Sequence, residues 1–127
     1  MNADALILCG GQGTRFRKVS NVMPKALAKI SQKPILELLL SKLNKQGFKK
    51  VVLATGYLSC KIEEYTKKHW PKMCVISKEE NPLGTGGAIK NSLKYFNKEN
   101  VIIFNGDTII NINYIKFLKF HNSNHSD

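Results

Sequence analysis

Short apolar runs alternate with amphipathic segments along the whole chain. The first run, residues 5–9, is continuous and stops at Gly10-Gly11, a pattern typical of a strand buried on both faces. Similar short runs occur at residues 51–54, 73–77 and 101–104. The pattern therefore predicts four buried strands.

Between these runs, apolar residues recur at three- and four-residue steps, which predicts helices packed by one face. Pro34 is placed to open the first helix and Gly47 to end it, and Pro71 limits the second. A third helix is predicted over about residues 85–96 and a last one over residues 111–121. The predicted inward positions are Ile35, Leu36, Leu39, Leu40, Leu43, Leu58, Ile62, Tyr65, Ala88, Ile89, Leu93 and Phe96.

The alternation of strands and helices predicts an α/β fold with right-handed crossovers. We expect three α/β/α layers around a mostly parallel, Rossmann-like sheet, with ligands at the carboxyl ends of the strands. The chain shows no internal repeat and no linker, so residues 1–127 are predicted to form a single domain.

The composition excludes several classes of protein. With 43% hydrophobic and 23% charged residues, the chain is typical of a globular protein rather than a disordered one. It has no apolar stretch near the ~20 residues of a membrane span and no leader pattern. Three cysteines without a C-x-x-C pair indicate neither a disulfide framework nor a zinc ribbon. A cytoplasmic protein without a membrane partner is expected.

The net charge of +11 raises the question of a nucleic-acid partner. Arg15 and Arg17 are the only arginines among twenty basic residues, and the lysines are scattered over every segment. Base recognition relies on bidentate arginine, so we expect no nucleic-acid partner. A lysine-rich background explains the charge, and small anionic substrates fit it as well.

A glycine-rich segment follows the first predicted strand. Closely spaced glycines, here in Gly10-Gly11-Gln12-Gly13-Thr14-Arg15, let backbone N–H groups approach phosphate oxygens. Arg15 and the later Lys25 are able to neutralise charge as a phosphoryl group transfers. The spacing fits neither the dinucleotide fingerprint nor the Walker loop. The alternative is a glycine turn with solvated cations.

A second candidate segment, residues 79–88, follows the third predicted strand and begins with Glu79 and Glu80. Its glycines at the start of a helix are entropically costly, which favours close approach by a flat ligand such as a nucleobase. Guanine presents adjacent N1–H and N2–H donors that an ionised carboxylate accepts, so the glutamates favour guanine. The alternatives are a tight helix start and two solvated glutamates.

The third candidate is Asn105-Gly106-Asp107, which follows the fourth predicted strand. Mg²⁺ prefers a carboxylate together with substrate phosphates, so Asp107 is a candidate metal ligand. The same tripeptide is also good turn chemistry.

These motifs, in this order, resemble those of the sugar-phosphate nucleotidylyltransferases. Residues 8–15 match the amino-terminal signature of that family, Pro24-Lys25 its Pro-Lys pair, and residues 105–107 its metal-carboxylate turn. Lys33-Pro34 matches the start of its first helix. Residues 81–89 look most like the guanylyltransferases that act on heptose 1-phosphate or mannose 1-phosphate.

The resemblance implies a nucleotide-diphospho-sugar transferase fold and a Mg²⁺-dependent reaction. A sugar 1-phosphate attacks the α-phosphate of a nucleoside triphosphate, GTP being favoured, and gives pyrophosphate and an NDP-sugar for surface polysaccharide synthesis. In that scheme Arg15 holds the leaving phosphates, Lys25 neutralises the α-phosphate or the sugar phosphate, and Asp107 holds Mg²⁺. The residues implied to enclose the nucleotide are Leu8, Gly10, Gly11, Gly13, Thr14, Glu79, Glu80, Gly84, Thr85 and Gly86.

The sequence departs from the family pattern in two places. Ala26 stands where many members have a second proline after the Pro-Lys pair. Family members also continue well past the Asn-Gly-Asp turn, so the chain resembles the nucleotide-binding half of the family domain. Two alternatives therefore stay open: a transferase, as an oligomer or with a complementing subunit, and a non-catalytic nucleotide-binding or interaction module.

Overall fold

A computed structural model describes residues 1–11 and 23–125 of the chain. Its main feature is a parallel sheet of four strands: β1 (Ala3–Leu8), β4 (Val51–Thr55), β5 (Cys74–Lys78) and β6 (Asn100–Asn105). They lie in the order β5-β4-β1-β6, and β2 (Lys29–Ile30) and β3 (Lys33–Pro34) form a separate small sheet. All four lie within a residue or two of the predicted apolar runs, which confirms the strand predictions.

In the described residues, four α-helices connect or follow these strands: α1 (Ile35–Lys45), α2 (Ser59–His69), α3 (Gly84–Ser92) and α4 (Tyr114–Asn124). α1 follows Pro34 directly, and Gly47 lies just beyond its end with a φ of 90°. α4 begins three residues later than predicted because the Asn113 side chain accepts a hydrogen bond from the Lys116 N–H at 3.0 Å and caps the helix there.

The predicted three layers are confirmed. Ala5 and Ile7 of β1 face one core together with α1, α2 and α4, whereas Leu6 faces a smaller core under α3. Alternate strand residues point to opposite faces, so the continuous apolar run of β1 fills both cores. The larger core contains a cluster of edge-to-face rings, Phe48, Phe104 and Tyr114, with centroids 5.1 to 6.2 Å apart.

Two short elements within residues 25–34 are absent from the sequence prediction. A 3₁₀ helix spans Lys25–Leu27, and a small antiparallel hairpin pairs β2 (Lys29–Ile30) with β3 (Lys33–Pro34). Each strand of the hairpin has only two residues, which is too short for a period of two to show in the sequence.

The prediction that Leu93 points inward is wrong: its side chain is 59% exposed. The α-helical hydrogen bonding ends at Ser92, and Leu93–Tyr95 continues as a 3₁₀ turn that rotates Leu93 outward. Ser92 is fully buried instead, and its hydroxyl donates to the Ala88 carbonyl at 2.8 Å.

Glu37 joins α1 to α2 through one carboxylate. It accepts hydrogen bonds from the Tyr65 hydroxyl at 2.6 Å, the Trp70 indole N–H at 2.8 Å and the Ser41 hydroxyl at 3.2 Å. Burial by itself raises the pKa of Glu37, but these three donors outweigh burial and lower it. The carboxylate is therefore ionised and fully bonded at neutral pH.

We expect Glu37→Ala to lower the free energy of unfolding by about 1 to 3 kcal/mol, because three partly buried donors lose their acceptor. Glu37→Gln keeps an acceptor and should lower the free energy of unfolding by less.

A carboxyl with a lowered pKa in the folded state stabilises the fold above its unfolded pKa, and this contribution disappears as the pH falls through the folded pKa. Urea unfolding at neutral and acidic pH should therefore show the difference between wild type and Glu37→Gln shrinking in acid. Glu64→Gln, at an exposed position of α2, is the control, and a pH-independent difference would contradict the assignment.

Candidate active site

Four turns meet at the carboxyl edge of the sheet, because the strands are parallel and in register. Leu8 aligns with Ala54 of β4 and with Asn105 of β6. Thr55 aligns with Lys78 of β5. The turns that follow these strands carry all three candidate segments, as the fold class predicts.

The end of β1 is held on both sides. The Cys9 N–H donates to the Ala54 carbonyl at 2.8 Å, and the Gly106 N–H donates to the Leu8 carbonyl at 3.0 Å. A Cβ atom on Gly106 would lie 2.8 Å from that same Leu8 oxygen, which is too close. Glycine at this position therefore allows the turn that carries Asp107 to close against β1.

Glu79 is a buried carboxylate at the cleft, with only 9% of its surface exposed. Its backbone N–H donates to the Thr55 carbonyl at 2.7 Å, which fixes the residue beside β4. The carboxylate lies 3.2 Å from the position that a Cβ on Gly10 would take. Among the described residues, only the Leu83 N–H bonds to it, at 3.4 Å. The described residues therefore leave acceptor capacity on this buried carboxylate.

Lys25 and Asp107 form an ion pair at the other end of the cleft, with 2.6 Å between Nζ and Oδ2. The 3₁₀ helix positions Lys25, because its neighbours Ala26 and Leu27 are buried. The Thr108 hydroxyl donates to the other Asp107 oxygen at 3.0 Å. The structure thus brings together a candidate phosphate-binding cation and a candidate metal ligand that lie 82 positions apart.

Two ionisable groups at this end have shifted pKa values. The hydrogen bond from Lys25, followed by that from Thr108, lowers the pKa of Asp107 and keeps it ionised. Burial raises the pKa of Cys9 to about 12, with smaller contributions from Cys74 and Asp107. The Cys9 thiol is therefore protonated at neutral pH, and its chemistry is that of a small apolar side chain rather than a nucleophile.

Two cavities of about 210 and 430 Å³ make up the cleft and share Leu8, Gly11 and Thr85 in their walls. Glu79 lines the smaller cavity, and Lys25 and Asp107 line the larger one. The sequence-predicted residues that the structure brings together here are Leu8, Gly10, Gly11, Lys25, Glu79, Gly84, Thr85 and Asp107.

The remaining predicted residues are placed differently. Glu80 is exposed and lines a neighbouring cavity of about 290 Å³ rather than the cleft. Gly86 lines none of these three cavities, although the space beside its Cα is open. Gly13, Thr14 and Arg15 lie outside the described residues.

Sequence reasoning overlooked the turn after β4. Gly56 and Tyr57 line the cavity that also contains Glu80, and a Cβ on Gly56 would lie 3.1 Å from the Gly10 carbonyl oxygen. The signal was present in the sequence, because Gly56 follows a buried strand as Gly10 and Gly106 do.

The chain has an α/β fold with a cleft at the carboxyl edge of a parallel sheet, and comparison with known proteins shows its family. Residues 4–127 match the nucleotidyl transferase family, so the chain belongs to this family. The resemblance drawn from the motifs is confirmed.

Two relatives show which members of the family the chain is similar to. The chain is 42% identical over 125 residues to D-glycero-alpha-D-manno-heptose 1-phosphate guanylyltransferase of Aneurinibacillus thermoaerophilus, covering 98% of this chain and 54% of the relative. It is 45% identical to the enzyme of the same name from Campylobacter jejuni, covering 94% of this chain and 53% of that one. The chain therefore spans about half the length of the curated relatives that it matches.

A solved structure shows the same fold. HddC from Yersinia pseudotuberculosis, in complex with GMP-PN, superposes with a TM-score of 0.84 and 39% identity. The match covers 94% of this chain and 54% of HddC.

Among the helices in the described part of the chain, none has the length and apolar character needed to cross a membrane.

Replacement of Lys25 by Met should raise the pKa of Asp107 towards that of an ordinary aspartate, because it removes the main group that lowers this pKa. Carboxyl-carbon NMR titration measures the change directly. Lys29→Met, in the exposed strand β2, is the matched control. Both side chains of the pair are about half exposed, so only a small loss of stability is expected. An unchanged titration of Asp107 in Lys25→Met would contradict the ion pair.

Proposed function

We propose that the chain transfers a guanylyl group from GTP to a sugar 1-phosphate, giving a GDP-sugar and pyrophosphate. The observation that carries the proposal is the Glu79 carboxylate, which is buried at the cleft and only weakly bonded by the described residues. The names of the two relatives reported above, both D-glycero-alpha-D-manno-heptose 1-phosphate guanylyltransferases, support it. They also favour a transferase over a non-catalytic module.

Glu79 is suited to guanine because an ionised carboxylate only accepts hydrogen bonds. Guanine offers N1–H and N2–H side by side, which matches the two carboxylate oxygens. Adenine has no such donor pair on its pairing edge, so the buried carboxylate would remain poorly bonded beside it. In the proposal Glu79 recognises the base by hydrogen bonds, and the exposed Glu80 does not contact the nucleotide.

The triphosphate then extends from Glu79 past Leu8, Gly11 and Thr85 towards Lys25. These three residues line both cavities, so they mark the path between the two ends of the cleft. Leaving out its chain neighbours, no atom of the described residues lies within 4 Å of the position of a Cβ on Gly11, which supports an approach of phosphate oxygens to its backbone. Gly10, Gly84 and Gly86, with Gly13 and Thr14, complete the proposed nucleotide enclosure.

The reaction needs positioning and charge neutralisation rather than a protein nucleophile. A sugar phosphate oxygen forms a bond to the α-phosphorus, and the bond from that phosphorus to the bridging oxygen of the β-phosphate breaks. Lys25 neutralises the α-phosphate, and Arg15 holds the leaving pyrophosphate.

Asp107 is the proposed ligand of Mg²⁺. The described residues contain no group of three or more His, Cys, Asp or Glu side chains that could hold a metal ion. A hard cation held by one exposed carboxylate together with substrate phosphates fits this donor set. When bound, Mg²⁺ supplies positive charge to the phosphates.

We further propose that residues 1–127 act as one domain, in the cytoplasm, in the synthesis of a surface polysaccharide precursor.

Nucleotide competition tests the assignment of Glu79. Wild type should bind GTP more tightly than ATP, CTP or UTP, and Glu79→Gln should lose roughly ten- to a hundredfold in GTP affinity, because the amide accepts only one of the two guanine donors. Glu80→Gln is the matched control and should bind GTP like wild type. Calorimetry with all four nucleotides measures this preference. Equal affinities for the four, unchanged in Glu79→Gln, would refute the guanine proposal.

Gly86→Ala tests whether ligand approaches the start of α3. The space beside Gly86 is open, and alanine favours the helix by up to about 1 kcal/mol, so the melting temperature should hold or rise. GTP affinity should nevertheless fall, because a methyl group then occupies space reserved for ligand. Gly87→Ala gives the contrast: its Cβ would lie 2.6 Å from the Leu83 Cβ, so stability itself should fall. Unchanged GTP affinity in Gly86→Ala would remove Gly86 from the site.

A further inference from the structure

The turn that follows β4 lies beside the proposed base-binding carboxylate without lining the cleft. Its first residue, Gly56, lines the neighbouring cavity of about 290 Å³ and neither of the two cavities of the cleft. A Cβ atom on Gly56 would lie 3.1 Å from the Gly10 carbonyl oxygen and 3.8 Å from Glu79 Oε2. Residues from the turns after β1, β4 and β5 therefore meet at this point. We call residues 56–59 the β4 turn.

The Glu79 carboxylate presents its flat face to Gly10. From the position of a Cβ on Gly10, the distances to Oε1, Cδ and Oε2 of Glu79 are 3.2, 3.3 and 3.3 Å. A position in the plane of the carboxylate beyond its oxygens would lie clearly farther from the carbon than from either oxygen, so nearly equal distances indicate a position over the face. Hydrogen-bond donors approach such oxygens near the plane. The contact with Gly10 therefore does not use the directions from which donors approach.

Packing, more than hydrogen bonding, holds this carboxylate in the described part of the chain. The bond from the Leu83 N–H to Oε2 is long, at 3.4 Å. The last side-chain torsion of a glutamate has a broad energy minimum, so one long bond does not fix the plane of the carboxylate. Backbone atoms at close range restrict its rotation, because they do not move aside as the end of a flexible side chain does. The position of Gly10 therefore determines how the carboxylate plane is oriented.

Gly10 is supported in turn by Gly56. The contact is close, because a Cβ on Gly56 would also lie 3.6 Å from the Gly10 Cα. The β4 turn is closed by the Ser59 N–H, which donates to the Gly56 carbonyl at 3.0 Å. Leu58 has a φ of 57°, in the left-handed region, which a bulky residue adopts only where its surroundings hold it. The turn is therefore a fixed support for Gly10.

A buried pair of hydroxyl groups anchors the β4 turn to β4. The oxygens of Thr55 and Ser59 lie 2.7 Å apart, and both residues are buried. Ser59 donates its hydroxyl hydrogen to Glu63 at 3.3 Å, so Thr55 is the donor within the pair. The Thr55 carbonyl accepts the Glu79 N–H at 2.7 Å. The end of β4 thus fixes the backbone of Glu79 directly and its carboxylate through the two glycines.

We propose that Gly56 is a positioning residue for base selection. With no side chain, it allows Gly10 to pack against the face of the Glu79 carboxylate, and this contact sets the plane in which the two donors of a base are accepted. Gly56 acts through Gly10 and Glu79 rather than by contact with the nucleotide. The inference rests on the proposed function, because it takes Glu79 as the group that binds the base.

Gly56→Ala tests the inference by calorimetry with GTP and ATP. The new methyl group meets a backbone oxygen at 3.1 Å, so Gly10 has to move by a few tenths of an ångström and the carboxylate moves with it. The preference for GTP over ATP should fall by roughly three- to tenfold. ATP affinity should change little, because the phosphates contribute to the binding of both nucleotides. In the nucleotide-free protein, the carboxyl-carbon NMR signal of Glu79, assigned with Glu79→Gln, should also shift.

Val51→Ala is the matched control, at the opposite end of the same strand. Val51 is fully buried, so the cavity left by the substitution should lower the melting temperature. The GTP preference and the Glu79 signal should nevertheless stay as in wild type. An equal loss of preference in Val51→Ala would show that general destabilisation is the cause and would overturn the proposal. If Gly56→Ala does not fold, Thr55→Val decides: it keeps the size of the side chain, removes the hydroxyl that anchors the turn, and should lower the same preference.

The outcomes separate this inference from the guanine assignment. A wild type that binds GTP and ATP equally refutes the assignment itself, and this inference with it. A wild type that prefers GTP, together with an unchanged preference or an unchanged Glu79 signal in Gly56→Ala, refutes the positioning role alone.

Discussion

The pairing of β1 on both sides is the constraint on which the rest of the structure depends. Ala5, Leu6 and Ile7 are completely buried, and β4 and β6 bond to the strand along its two edges. The backbone has therefore no freedom to shift in either direction. The end of β1 bonds to Ala54 of β4 through Cys9 and to Gly106 through Leu8, and the close contact at Gly106 transmits the position of β1 to Asp107.

The cleft built on this edge differs in charge at its two ends. A buried acceptor, Glu79, lies at one end, and the ion pair of Lys25 with Asp107 lies at the other. In the proposed complex the base donors lie at Glu79 and the phosphates lie at Lys25, which gives the nucleotide a single orientation. Before a ligand binds, Lys25 and Asp107 neutralise each other, which holds both side chains near the geometry proposed for them in the complex.

The sequence predicted the main elements because each signal was local. Buried parallel strands appear as continuous apolar runs, and the four runs correspond to β1, β4, β5 and β6. Leu93 was misplaced because the helical period was extended past the point where the chain tightens into a 3₁₀ turn. The hairpin of β2 and β3 has no period long enough to detect.

The site was predictable as a set of turns but not as a set of contacts. Glycine and carboxylate residues after buried strands indicated which turns matter, whereas the pairing of Lys25 with Asp107 depends on the folded chain. The different burial of Glu79 and Glu80 was easier to predict from the sequence. Burial alternates from Ser77 through Glu80, so the period of two in β5 continues beyond the strand and turns Glu79 inward.

The hydrogen bond between Trp70 and Glu37 has a practical consequence. Trp70 is the only tryptophan in the chain, and it does not line either cavity of the cleft. Its indole is bonded where α1 and α2 meet, so intrinsic fluorescence reports the packing of these two helices. The molecule therefore carries a built-in optical probe of folding that is spatially separate from the proposed nucleotide site, and loss of structure can be distinguished from loss of binding in a single cuvette.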